Sequence, residues 1–297
     1  MTDAATPQCS YRTLAAMTDQ PYAYDVAFAE DDAKIILTSS NGVSYRVHSF
    51  TLRTTSGFFR DMMSLPQHDS AESRGDTITL DETSDVLGSL LRMISGFGAV
   101  KWASYDEVEN VLAAAQKYDM RGPILTIRSA ITSPFFLEQP LRLYAIAAHY
   151  GWEEEAKLAS KYSLRLSLHD NEHATILDRI PTTFILRLLR LHRLRRDEFK
   201  KHVTRDNGCF GIQNCPYCHE RVQNSALEHL MNLMIWEMDR HPAGNELLEG
   251  QWKEWPVYKG NACTNSCHGG GTFSSLGYDP RIHADIKSCL QSLPSTI

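Results

Sequence analysis

Cysteine is almost missing from the first two thirds of this 297-residue chain: Cys9 stands alone, and the next is Cys209. A disulfide-built scaffold is therefore excluded over that stretch, which must be held by an apolar core. Long apolar runs are missing too. No stretch approaches the roughly 18 apolar residues of a membrane span, so no transmembrane helix is expected. Residues 1–24 lack a basic start followed by an apolar segment. No secretory signal is expected, and the chain is placed inside the cell, in cytoplasm, nucleus or both. Nor is positive charge in excess: 30 Lys and Arg face 36 Asp and Glu, a formal net charge of −6. That balance counts against a dedicated nucleic-acid binder. Residues 25–132 offer no nucleophile–base pair and no phosphate-cradling glycine loop, an absence that points to binding and not catalysis.

What is present is ordinary globular material, 42% apolar and 22% charged, in a chain longer than one typical domain of about 100–200 residues. Residues 1–24 read as a disordered N-terminal tail. Lys34-Ile35-Ile36-Leu37-Thr38 is β-branched and apolar, and Val43, Tyr45 and Val47 alternate with Ser44 and Arg46. Asn41-Gly42 between them tolerates the positive φ angles of a type I′ turn, so a hairpin is expected. Thr77-Ile78-Thr79-Leu80 reads as a third strand after an exposed loop from Gln67 to Asp76.

Helical periodicity follows. Leu87, Leu90, Leu91 and Ile94 share one face, as do Val108, Val111, Leu112 and Ala115. Leu141, Tyr144, Ala145 and Ala148 begin another helix, ended by Gly151. Leu158, Tyr162 and Leu166 suggest a further one, and Pro181 opens one through Phe184, Leu188 and Leu191. Strands first and helices afterwards give an α+β domain with a helical continuation.

These residues resemble, in order, the start of a BTB/POZ domain. The matching pieces are Asp32-Ala33-Lys34-Ile35-Ile36-Leu37, the turn at Gly42, Tyr45-Arg46-Val47-His48, and Leu52, Ser56, Phe58, Phe59 and Met62. Ile78-Thr79-Leu80, Leu87 to Gly96, and Ala113-Ala114-Ala115-Gln116-Lys117-Tyr118-Asp119-Met120 continue the resemblance, which spans residues 25–132. Leu52, Phe58, Phe59, Leu87, Leu90, Leu91 and Ile94 are expected in the core, and His48 as a hydrogen-bonded packing residue. The resemblance implies protein–protein association, as a homodimer or heterodimer through the first helices and the sheet edge. In some members it implies binding of a cullin scaffold for ubiquitination. The chain departs from the family twice. Ser49 stands where a basic residue often follows the histidine, and Ser70-Ala71-Glu72 matches poorly the apolar-x-Glu loop of cullin binders.

Six cysteines fall in the last 89 residues. Cys215-Pro216-Tyr217-Cys218 and Cys263-Thr264-Asn265-Ser266-Cys267 are two closely spaced pairs, and two such pairs can complete a tetrahedral four-thiolate zinc site. The 44 residues between Cys218 and Cys263 exceed the usual gap of about 15–20 in a zinc ribbon. Closing a longer loop costs only about 0.6 kcal/mol per doubling. Cys209, His219, His229 and His268 are substitute ligands. Residues 242–280, rich in Gly, Asn, Pro and Trp, show little periodicity and would struggle to bury a core without an ion. Cys-Pro-Tyr-Cys is also similar to the glutaredoxin active-site motif, but no βαβ pattern surrounds it. Unconnected cysteines in a loop-rich tail are the third reading.

Residues 184–205 form a basic, leucine-rich helix. Such a helix can meet a membrane or nucleic acid, but it is more often a packed helix with a solvated face. The reading is therefore α+β. A BTB/POZ-type three-stranded sheet with a helical cluster spans 25–132, a helical extension spans 133–205, and a Cys-rich region spans 206–297. Structural zinc is placed on Cys215, Cys218, Cys263 and Cys267. The expected function is a protein-interaction adaptor or scaffold, with protein partners among which a cullin scaffold is one candidate. A thiol–disulfide oxidoreductase using Cys215 and a DNA-associated regulator are the alternatives.

Overall fold

In the computed structural model, β1 (Ala23–Tyr24), β2 (Ile35–Thr38), β3 (Val43–Val47) and β4 (Thr77–Thr79) form one sheet in the order β1-β3-β2-β4. The described residues are 23–65, 77–97, 100–205, 225–259 and 280–297. They fall in two compact units, Met1–Ile127 and Arg128–Ile297, and the architecture is α+β.

β2 and β3 pair antiparallel with Leu37 opposite Tyr45 and Ile35 opposite Val47. Leu37, Tyr45 and Val47 are buried on the core side, as alternation requires. β4 joins β2 in parallel, with Ile78 opposite Leu37. The sheet has four strands where three were expected. β1 pairs in parallel with β3 through Ala23–Val43 and Tyr24–Ser44. A two-residue strand is too short to show alternation, and Ala23 and Tyr24 sat at the end of the expected tail.

The hairpin exists, but its turn is not type I′. That turn needs positive φ at both central residues. Gly42 has φ +88°, whereas Asn41 is not in the left-handed region; Asp119, at φ +48°, is the only non-glycine there among the described residues. Gly42 N–H instead closes onto Ser39 O at 3.0 Å, and Ser39 N–H onto Val43 O at 2.9 Å. This is the bonding of a three-residue loop with glycine at its last position. Asn41 is used through its side chain: Oδ1 accepts from Ser84 N–H at 2.8 Å, and Nδ2 donates to Ser84 Oγ at 2.9 Å.

The helices of the first unit are α1 (Ser49–Thr55), α2 (Gly57–Ser64), α3 (Ser84–Ser95), α4 (Tyr105–Lys117) and α5 (Arg121–Ala130), the last running past the unit boundary. Leu87, Leu90 and Leu91 on α3 and Val108, Val111 and Leu112 on α4 are fully buried. Gly96 ends α3 in the left-handed conformation at φ +75°, where a side chain would be strained. Ser104 caps α4 by accepting Glu107 N–H at 3.2 Å, and Glu107 reaches back to Ala103 N–H at 2.9 Å.

The second unit is helical: α6 (Pro134–Leu137), α7 (Pro140–Tyr150), α8 (Glu153–Ser163), α9 (Ala174–Leu177), α10 (Thr182–Val203), α11 (Ser225–Arg240), α12 (Asn245–Glu249), α13 (Pro256–Lys259) and α14 (Pro280–Ser292). α7 is buried from Leu141 to Ala148 on nearly every side, apart from the half-buried Arg142. Ala147, Ala156 and Ala159 are fully buried in α7 and α8; small side chains let backbones approach. The helix expected to reach Leu166 stops at Ser163, where Leu166 N–H turns back to Ser163 O at 2.9 Å.

Residues 225–259 and 280–297 pack with the end of α10 in a core of their own. Of the stretch 242–280, expected to struggle without an ion, Leu247 and Trp252 are buried there, and 260–279 lie outside the described residues. Phe199 and Val203 of α10, Leu230 and Met234 of α11, Leu247, Trp252, Ile286 and Leu290 form one apolar cluster. The helical periodicity of Leu227, Leu230, Met231, Met234 and Ile235 predicts a helix there, and α11 is that helix. The partners of its buried face come from segments far apart in sequence. No helix among the described residues is long and apolar enough to cross a membrane.

Candidate interaction surface

The frame of the first unit is set where α2 begins. Ser56 Oγ accepts Phe59 N–H at 3.1 Å, capping α2, and donates to Tyr118 O at 2.6 Å. Gly57 N–H donates to Asp119 O at 3.1 Å. These bonds tie α2 to the end of α4. The buried Tyr118 hydroxyl donates to Glu82, and Lys117 Nζ donates to Glu82 Oε1 at 2.9 Å and to Asp81 Oδ2 at 3.1 Å. The bond to Glu82 holds the Lys117 ammonium protonated well above its ordinary range. Burial, then Glu82, raises the Tyr118 phenol likewise. Neither group is a base at neutral pH; both are struts.

On that frame stand exposed apolar side chains. Phe50 of α1 is 76% exposed, Phe58 of α2 is 44% exposed, and Leu65 just beyond α2 is 65% exposed. Phe58 was expected in the core. Instead its ring leans edge-on against Phe59 and Tyr118, at 5.2 and 5.4 Å, with much of its surface open. Val26 and Phe97 are exposed as well, and Phe97 packs edge-on against Phe28 at 5.2 Å. Aromatic side chains on rigid helices are the groups that anchor protein interfaces.

Two clefts open on the same unit. One, of about 570 Å³, is lined by Arg60, Met93, Ile94, Asp119, Arg121 and neighbouring residues, so Ile94 is a cleft wall and not a core residue. The other, of about 660 Å³, includes Asp25, Tyr45, Asp85, Arg92 and Glu107. There Arg92 pairs with Asp25 at 2.7 Å, and the Tyr45 hydroxyl donates to Ser84 O at 2.8 Å. Burial, with Asp25 adding, pushes the Tyr45 phenol up to about 12. It is a fixed donor and not a nucleophile. No nucleophile–base pair lines either cleft among the described residues.

His48 is not the packing residue expected. α1 starts at Ser49, which leaves His48 at the helix cap with no side-chain cap bond. Its ring is half exposed, 3.7 Å from Asp32.

Cys215, Cys218, Cys263 and Cys267 lie outside the described residues, as do Cys209, His219, His268 and the Ser70-Ala71-Glu72 loop. Of the substitute ligands His229 is described, exposed on α11. Cys289 is buried in α14, and burial raises its thiol, which makes it a packing group.

The basic run became α10, and its cations divide. Arg187 binds Glu153 through two nitrogens at 2.9 and 3.0 Å. Arg196 reaches Asp239 at 2.6 Å and Asp197 at 2.8 Å. Arg195 is buried, and its guanidinium donates to four main-chain carbonyls: Pro242 and Pro294 at 2.7 Å, Leu293 at 3.3 Å and Leu290 at 3.4 Å. In the sequence Arg195 falls i+4 from Leu191 and i+7 from Leu188, on the inward face of the helix. The carbonyls that receive it come from Pro242 and from the end of α14, some ninety residues downstream.

Compared with known families, residues 27–133 match the model described as BTB/POZ domain. No curated protein matches the chain.

Proposed function

With a BTB/POZ domain at residues 27–133 as the premise, we propose that the chain is an adaptor that associates with protein partners through that domain, itself included. The observation that supports this most is the apolar surface of the domain, with Phe50 at 76% and Leu65 at 65% exposure. Such side chains in water are costly unless a partner covers them, at about 25 cal/mol per Å². A second copy is the first partner to test, and a cullin scaffold is the heterologous one. Sedimentation equilibrium of the full chain should give a concentration-dependent dimer, and Phe50→Glu should shift it to monomer. A monomer at every concentration, together with no Phe50-dependent partner in affinity purification, would overturn the reading. For the cysteine-rich region we propose a structural zinc on Cys215, Cys218, Cys263 and Cys267, supported by the spacing of the two pairs.

A further inference from the structure

The second unit carries a surface of different character. Leu186, Leu189 and Leu194 on α10 are 59%, 41% and 40% exposed. Arg190 and Arg193 lie among them, also exposed, and neither has an ionic or hydrogen-bonded partner among the described residues. The spacing is i, i+3, i+4, i+7, i+8, so all five share one face of α10, about 12 Å long. The opposite face is spoken for: Leu188, Leu191, Arg195 and Phe199 are buried. Asp197, further along the exposed face, is held by Arg196 at 2.8 Å and leaves the two arginines uncompensated.

We propose that this face of α10 docks an acidic amphipathic helix of a partner protein. Leucines for an apolar seam and arginines beside them for carboxylates are the chemistry of a paired helix, in which flanking charges choose the partner. A second copy of α10 is the wrong occupant, because it would set arginines against arginines. A membrane fits poorly. A helix lying in a lipid surface segregates its apolar and cationic residues onto opposite faces, whereas here leucine and arginine interleave on one face and the other is core. The inference stands apart from the BTB surface, which belongs to the other unit, so either reading can fail alone.

The test uses the full chain and two labelled synthetic helices of about 21 residues with identical leucine spacing, one flanked by glutamates, the other by lysines. Fluorescence anisotropy should show the glutamate helix binding and the lysine helix not. Arg190→Glu with Arg193→Glu should weaken the glutamate helix about tenfold or more and admit the lysine helix, since charge complementarity is reversed. Leu186→Ser with Leu189→Ser should weaken the glutamate helix without admitting the other. Both variants alter exposed side chains, and unchanged circular dichroism confirms their fold. No binding of the glutamate helix, or equal binding by wild type and charge-reversed chain, overturns the proposal. So does arginine-dependent capture by phosphatidylserine vesicles without helix binding.

Discussion

Gly57 has no room for a side chain because of Asp119: a Cβ placed on Gly57 would lie 2.0 Å from the Asp119 carboxylate oxygen. The backbones are held at that distance by the bond from Gly57 N–H to Asp119 O at 3.1 Å, while Asp119 itself sits at φ +48°. The glycine is needed for close approach and not for its own dihedral. Gly57→Ala should therefore destabilise the first unit by about 1–3 kcal/mol, the cost of forcing atoms into a packed site. Asp119→Gly in the same background should recover most of that loss, since it removes the clash and suits positive φ. Urea unfolding of the four chains checks the cycle. Equal midpoints for wild type and Gly57→Ala would show that the corner yields freely.

The same corner shows what sequence could and could not tell. The Leu37–Tyr45 hairpin and the Leu87-Leu90-Leu91 face were legible because their periods, two and 3.6, leave no other burial. Phe58 and Phe59 are adjacent, so on a helix only one can point fully inward, and their apolar character does not say which. Ala23–Tyr24 is too short to carry a period. Trp252 and Phe199 belong to a core assembled from distant segments, which no local pattern announces. For the cysteine pairs, spacing was the whole of the signal, and those residues lie outside the described structure.

Arg195 is the clearest case of a residue whose role depends on distant chain. α14 ends at Ser292, and Leu290 O and Leu293 O at that end accept from Arg195. Helix ends leave carbonyls without intrahelical partners, and a cation there also opposes the helix dipole. Burial lowers the guanidinium's proton affinity; a guanidinium in a protein nonetheless keeps its charge. Arg195→Leu should cost about 3 kcal/mol or more by stranding buried carbonyls. Arg195→Lys should fall between, keeping the charge but not the fork. Denaturant midpoints ranked Arg above Lys above Leu, with lost amide protection in α14, are the expected result; indifference to all three would deny the clamp.

If the four cysteines hold zinc, elemental analysis of the purified chain should find about one equivalent, bound tightly enough to survive dialysis. Cys215→Ser with Cys218→Ser should remove it. Because Phe199, Met234, Trp252 and Ile286 form a core of their own, this variant should keep most of its helical circular dichroism while losing the metal. The same protein serves the redox alternative: disulfide exchange that depends on Cys215, in a chain free of zinc, would favour thiol chemistry over a structural ion.

The second unit should weaken in acid through His192. It is buried, its Nε2 3.1 Å from Ser163 Oγ. Burial first, then the charge of Arg195 and the nearby His169, lower its pKa to about 4. In the unfolded chain it titrates near the ordinary value of about 6.5. Between these values the unfolded state binds a proton that the folded state refuses, so stability rises with pH across that window. It is fully present above about 6.5, lost as pH falls, and level again below about 4. Between about pH 7.5 and pH 5 the loss amounts to about 2 kcal/mol. His192→Gln, which keeps a polar group near Ser163 but does not titrate, should flatten the dependence by about that amount. Other histidines titrate in both chains, so the difference between the two pH profiles, measured by urea unfolding, is the quantity that decides. Parallel profiles would mean that the folded protein accommodates a charged His192.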